Sequence, residues 1–243
     1  MMMRRPLPLT AHGFTRTDLV VVLSVCALLL LTGASLLGKT QAGAHRATCT
    51  NNLRQLGVAI LKFAAEHNDM PPWFTPVSEG GSGGASLVYA HMFFLSNYVD
   101  SPRLVVCPSD PEKRPAVDFS ANPNGLAGMS NSAAGYVIMT ELDMRTGDSP
   151  LMADRLMGGG SEIGSCPGSG FTLSSFKSNY PVKRNRIVSG YPPPFWLPQL
   201  HATALGNVLF ADGRVDSCDS KGLVRAYEYN PLDSNKSGCT MIP

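Results

Sequence analysis

Residues Leu19 to Gly38 run for 20 positions without a charged side chain. Coiled as a helix rising about 1.5 Å per residue, such a run reaches roughly 30 Å, the thickness of a bilayer's hydrocarbon core. Between Leu19 and Leu37, 12 residues are Leu or Val; at about −0.3 to −0.6 kcal/mol each, they favour insertion by up to about 4–7 kcal/mol. The chain therefore reads as crossing a membrane once. Arg4 and Arg5 precede the run, and the positive-inside rule then keeps the amino end in the cytoplasm and sends everything after Lys39 to the far side. A secretory signal would carry a shorter apolar core, about 7–15 residues, before a small-residue cleavage site. Thr32-Gly33-Ala34 offers small residues, but the run is too long for that reading. A plain uncleaved anchor competes with an anchor that has a second task.

The junction argues for the second task. Gly13-Phe14-Thr15 stands where the apolar segment opens, and Asp18 lies just inside it. An acid in a membrane segment is costly enough to imply a function. This arrangement resembles the type IV pilin and type II secretion pseudopilin precursors, whose motif runs Gly, Phe, Thr, two residues, Glu, then a hydrophobic helix. The resemblance implies that a prepilin peptidase cuts after Gly13 and methylates the new terminal Phe14. It also implies that Asp18, in the place of the usual Glu, meets the terminal amine of a neighbouring subunit. Arg16 and Ser35 depart from the family, which has an apolar residue and commonly a Pro at these places.

Beyond Lys39 the helical pattern continues. Cys49, Leu53, Leu56, Ile60 and Phe63 fall on one stripe, while Asn51, Asn52, Arg54, Lys62 and Glu66 take other faces. One helix is expected from Phe14 to about His67, apolar all round below and amphipathic above, and ended by Asn68-Asp69-Met70-Pro71-Pro72. The stretch Cys49-Thr50-Asn51-Asn52-Leu53-Arg54-Gln55 resembles a segment that follows the anchor in a bacterial subset of these prepilin-type proteins.

The rest of the chain is rich in Gly and Pro, which total 43 residues in the whole sequence and point to long loops between short elements. Ser78 to Ala85 reads as a linker, since no Lys-Ser/Thr follows to make a phosphate loop. Ser86 to Tyr98 is expected as a short helix with Leu87, Ala90, Phe94 and Leu95 inward. His91 on it reads as a packed or exposed side chain rather than a ligand. Leu104 to Cys107, Tyr136 to Thr140 and Pro150 to Asp154 are expected as strands. Gly206 to Ala211 and Arg214 to Asp216 flank Asp212-Gly213, the chemistry of a two-residue type I′ hairpin. This stretch also resembles the C-terminal His-x9-Asp-Gly signature of the same subset, although ten residues separate His201 from Asp212 here.

Several function classes drop out. Removal of Arg4 and Arg5 with residues 1–13 leaves 18 basic against 18 acidic side chains, so net charge gives no reason for a nucleic-acid partner. Lys177, Lys183, Arg184 and Arg186 lie among Phe176, Tyr180, Tyr191, Phe195 and Trp196, but four charges in thirty residues make no binding stripe. No Gly-x-Ser-x-Gly, His-Glu-x-x-His or Gly-x-Gly-x-x-Gly motif points to an enzyme. His201 with Asp212, Asp110 or Cys218 could form a hydrolytic or metal site, but each has a turn or packing explanation. Cys26 reads as a small apolar residue in the membrane run. Of the other five cysteines, Cys49 on the inward stripe and Cys107 at the end of its segment are expected to pair. Cys218 with Cys239 is the second expected pair, and Cys166 is left over. No cysteine pair has metal-ligand spacing, and no metal or cofactor is expected.

The expected architecture is α+β and pilin-like: a leader at 1–13, a membrane half-helix at 14–38, an amphipathic half at 39–70, and a head at 71–243 on a small antiparallel sheet with long loops. The expected role is a structural subunit of a membrane-rooted filament. Its partners would be the prepilin peptidase, other pilin or pseudopilin subunits, an inner-membrane assembly platform and the lipid bilayer. A singly anchored periplasmic binding module is the alternative, followed by an anchored hydrolase or a DNA-uptake pilin.

Overall fold

The computed structural model describes residues 15–85, 87–139, 147–155, 157–158, 182–183, 186–187, 195–196, 201, 205–228, 237–238 and 240–241, with the side chains of 31–40, 157–158, 182–183, 186–187, 195, 227–228, 237–238 and 240–241 outside that set. Gly13, Phe14, Cys166 and Cys239 lie outside the described residues. The chain divides into two compact units, Met1–Gln41 and Ala42–Pro243.

In the first unit, helix α1 (Arg16–Glu66) begins on a reciprocal cap. The Thr15 N–H donates to the Asp18 carboxylate at 3.0 Å, and the Asp18 N–H donates back to the Thr15 hydroxyl oxygen at 3.3 Å. Two of the helix's orphan donors are thereby satisfied, and a negative charge sits at the positive end of the helix dipole. From Leu19 to Leu30 every side chain is exposed, including Leu28, Leu29 and Leu30 at 63, 65 and 75 %. Among the described residues, no helix is long and apolar enough to cross a membrane. The apolar run from Leu19 to Gly38 extends into residues 31–40, outside the described side chains.

In the second unit, the upper part of α1 buries Cys49, Leu53, Leu56, Ile60 and Phe63, all at 2 % exposure or less. Asn52 joins them at 6 %, against the expectation of an outer face, because its side-chain amide donates to the Val106 carbonyl at 3.1 Å. The helix ends at Glu66, and Asn68 and Asp69 take the left-handed conformation. The Asp69 N–H reaches back to the Ala64 carbonyl at 2.9 Å, which satisfies one of the last helical acceptors.

Helix α2 (Val88–Phe94) turns Val88, His91 and Met92 inward in place of the expected Leu87, Ala90 and Phe94, with Leu95 buried after it as expected. The spacing of these four is itself helical; the polar His91 disguises it. Residues Leu104–Val105 belong to a 3₁₀ turn, Pro102–Val105, rather than to a strand. Ser101 caps that turn by accepting from the Arg103 N–H, and Pro102 supplies a preset φ. The Gly/Ser-rich stretch 78–85 is built into the fold rather than serving as a linker. Ser82 is fully buried and its N–H donates to the Pro72 carbonyl at 2.7 Å. A Cβ at Gly81 would lie 2.2 Å from the Thr75 carbonyl oxygen, so only glycine fits there.

A short helix α3 (Leu126–Met129) precedes strands β1 (Tyr136–Met139) and β2 (Pro150–Asp154). Two-residue strands follow: β3 (Met157–Gly158), β4 (Val182–Lys183), β5 (Arg186–Ile187) and β6 (Phe195–Trp196). Then come β7 (Gly206–Phe210), β8 (Val215–Cys218), helix α4 (Ser220–Glu228), β9 (Ser237–Gly238) and β10 (Thr240–Met241). The main sheet is antiparallel throughout, in the order β10-β1-β2-β7-β8. Strands β1, β2 and β7 are buried at every position, which requires cover on both faces. Along β7, Leu209 reaches Gly57 of α1, where a Cβ would meet its methyl at 2.7 Å. Gly206, an odd number of positions away, faces the other side and lies flat under the Trp196 indole.

The β7–β8 connection is a three-residue loop, not the two-residue type I′ turn expected. The Phe210 N–H donates to the Arg214 carbonyl and the Gly213 N–H donates to the Phe210 carbonyl, both at 2.9 Å. Only Gly213 has a positive φ, +83°, while Asp212 stays on the negative side. That is a type I turn closed by a glycine bulge, which confines the left-handed conformation to the one residue without a Cβ.

Candidate functional site

The second unit holds a buried polar cluster where α1, the segment after the 3₁₀ turn, β2 and β7 meet. Cys49 of α1 and Cys107 are joined by a disulfide, with Cα atoms 4.9 Å apart, and both are buried. The helical stripe turns Cys49 inward. The turn that follows, in which the Asp110 N–H donates to the Cys107 carbonyl, places Ser109 and Asp110 beside the bridge.

Ser109 and His201 are 2.8 Å apart at Oγ and Nδ1, and His201 Nε2 lies 3.1 Å from Asp154 Oδ2. The simplest proton assignment has the Ser109 hydroxyl donating to Nδ1 and the Nε2–H donating to the carboxylate. Asp154 Oδ2 also accepts from the Asn207 N–H at 2.7 Å and from its side-chain amide at 2.8 Å. The Asn207 carbonyl oxygen in turn accepts from Thr50 at 3.2 Å and from Ser217 at 2.5 Å. The cluster thus links the helix to three strands, β2, β7 and β8, and to the Cys107–Asp110 turn. The side chains of His201 and Asp154 are both fully buried. His201 holds a φ of +49°, a conformation that costs a non-glycine residue about 1 kcal/mol and persists only where the surroundings fix it.

Electrostatics reinforce the cluster. Asp110 takes a two-pronged ion pair from Arg155, at 2.7 and 2.8 Å, and Arg155 also reaches Glu112 at 2.7 Å. Burial, with the Asp154 carboxylate nearby, pushes the Tyr136 hydroxyl well above its usual range. Of the carboxylate oxygens, Asp154 Oδ1 is buried with no hydrogen-bond partner among the described residues.

A serine, an imidazole and an acid in one chain is the arrangement of a hydrolytic relay. Here the ring nitrogens are exchanged relative to that relay, the acid is shared with Asn207, and the imidazole is closed to solvent. In this conformation the buried imidazole bridges Ser109 and Asp154 and so ties the Cys107–Asp110 turn to β2. His201 is brought to Asp154, not to Asp212, Asp110 or Cys218.

The other sequence candidates lie apart. Asp212 bonds the Arg214 N–H at 2.9 Å and its guanidinium at 2.9 Å, within a group that includes Asp148 and Asp216. Cys218 is a free thiol at the end of β8, raised to about 11 by burial, and not half of a bridge. Asp18 lies in the first unit and caps its own helix. Cys26 is an exposed free thiol. His91 is buried and bonded to Ser82 at 2.7 Å, and burial lowers its pKa to about 4.

Sequence reasoning missed Asp154, Asn207, Thr50 and Arg155. One signal was available: Asp154 closes the otherwise apolar run Pro150–Ala153, and an acid ending a buried strand needs donors. No curated protein and no solved structure matches the chain. Residues 40–104, about a quarter of the chain and including Cys49 and Asn52, match the family model described as "Protein of unknown function (DUF1559)".

Proposed function

We propose that the protein is a structural subunit of a prepilin-type filament, rooted in a membrane by α1 and carrying its second unit as a head outside the cytoplasm. The observation that carries this reading is the surface of α1 from Leu19 to Leu30, exposed at every position and apolar apart from Ser24, whose hydroxyl donates back to the Val21 carbonyl. Such a surface is stable only when covered by lipid or by other apolar helices. The match of residues 40–104 to a family of the prepilin-like, His-x9-Asp-Gly type supports the same reading. In it, the disulfide and the buried Asp154–His201–Asn207 cluster make the head rigid where it joins its helix. No catalysis is assigned to them.

The test is the mass of the mature amino terminus. Co-expressed with a prepilin peptidase, the protein is expected to lose residues 1–13 and to begin at Phe14 with one added methyl group. A terminus that still begins upstream of Gly13 would leave a plain anchored protein.

A further inference from the structure

The disulfide does not exhaust the chemistry at Cys49 and Cys107. One ligand atom from each of Cys49, Cys107, Asp154 and His201 lies within 4.8 Å of the others, and all four residues are buried. We infer that the reduced head binds one divalent ion of the zinc class through these four side chains, so that a metal and a disulfide are alternative fasteners of the same joint.

The donor set is two thiolates, one imidazole and one carboxylate, which suits a closed tetrahedral zinc site. Bonds of about 2.0–2.3 Å space tetrahedral ligands roughly 3.3–3.8 Å apart, so only small shifts separate the present cluster from a coordinating one. The independent sign of a missing partner is Asp154 Oδ1, buried and without a hydrogen bond among the described residues. The supporting groups are already in position. Asn207 holds Asp154 Oδ2 with two donors, and Ser109 lies against His201 Nδ1. With an ion on Nε2, the ring proton moves to Nδ1, where the Ser109 oxygen accepts it. A cavity of about 430 Å³ has Asn52, Cys107, Asp110 and Lys113 in its wall.

A dithiol reductant delivers two electrons and two protons to the disulfide and itself becomes a disulfide, leaving thiols at Cys49 and Cys107. Binding of the ion then releases both thiol protons to solvent.

Cobalt(II) is a suitable probe, because its thiolate complexes absorb through sulfur-to-metal charge transfer. The full chain, reduced with a phosphine whose oxidation takes up one water oxygen, is titrated with cobalt chloride. One equivalent is expected to bind with a charge-transfer band, and the oxidised chain is expected to show none. The Cys49→Ser/Cys107→Ser double variant must lose the band, which separates this site from the other cysteines. Asp154→Asn and His201→Gln are each expected to weaken binding at least 10-fold, with far-UV circular dichroism confirming that each variant is folded. A reduced, folded chain without the band, a band that survives the double cysteine variant, or affinity untouched by both ligand variants overturns the inference. So does a reduced chain that stays unfolded with cobalt present.

Discussion

At the scale of single residues, Asp18 serves two tasks that one substitution can separate. Its carboxylate caps the first turn of α1, and in the proposed filament it also pairs with the amine of a neighbour. Asp18→Asn keeps an acceptor for the Thr15 N–H but discards the charge, whereas Asp18→Ala discards both. The asparagine variant is expected to be processed and helical yet missing from sheared filaments. If it assembles as well as the parent, the acid only caps its own helix. His91 allows a second residue-scale test. Its folded pKa, lowered to about 4 by burial, lies below the unfolded value of 6.5. Above pH 6.5 neither state binds this proton. As pH falls from 6.5 towards 4, the unfolded chain takes it up and the folded one does not, so stability declines by up to about 3 kcal/mol. Urea midpoints across that range should show the decline, and His91→Gln should flatten it.

At the scale of elements, two glycines make contrasting contacts on opposite faces of β7. At Gly206 a Cβ would lie 2.4 Å from the rigid Trp196 indole, and at Gly57 it would lie 2.7 Å from a methyl of Leu209. Gly206→Ala is expected to destabilise by about 1–3 kcal/mol through overpacking. Gly57→Ala should change stability by less than about 1 kcal/mol, because helix propensity returns roughly what displacing a side-chain tip costs. Thermal unfolding of the two variants would rank them. The elements also divide into those written locally in the sequence and those that are not. The stripe from Cys49 to Phe63 is legible because period 3.6 is a property of neighbours along the chain. Asn52 escapes it, since the Val106 carbonyl that buries it lies 54 positions away. The same holds for the site: Asp154, Asn207 and Thr50 become a cluster only once β2, β7 and α1 are stacked. The hairpin shows a finer limit. Asp-Gly marks a turn, but the choice between two loop residues and three depends on how β8 registers against β7.

At the scale of the whole molecule, the bridge between Cys49 and Cys107 closes a loop with a sequence separation of 58. Constraining the unfolded chain over that distance contributes about 4 kcal/mol. Reduction without metal should therefore lower the denaturant midpoint of the second unit by that amount of free energy, and the Cys49→Ala/Cys107→Ala pair should match it. An unchanged midpoint would mean that the buried cluster alone holds the joint. The closed loop also has a mechanical consequence. Tension applied between the amino end of α1 and the carboxyl end of the chain enters the bridge at Cys49 and leaves at Cys107. The upper half of α1, the glycine-rich turn and α2 are thereby taken out of the load path. At about 3.4 Å per extended residue, roughly 200 Å of chain is unable to pay out while the sulfur–sulfur bond is intact.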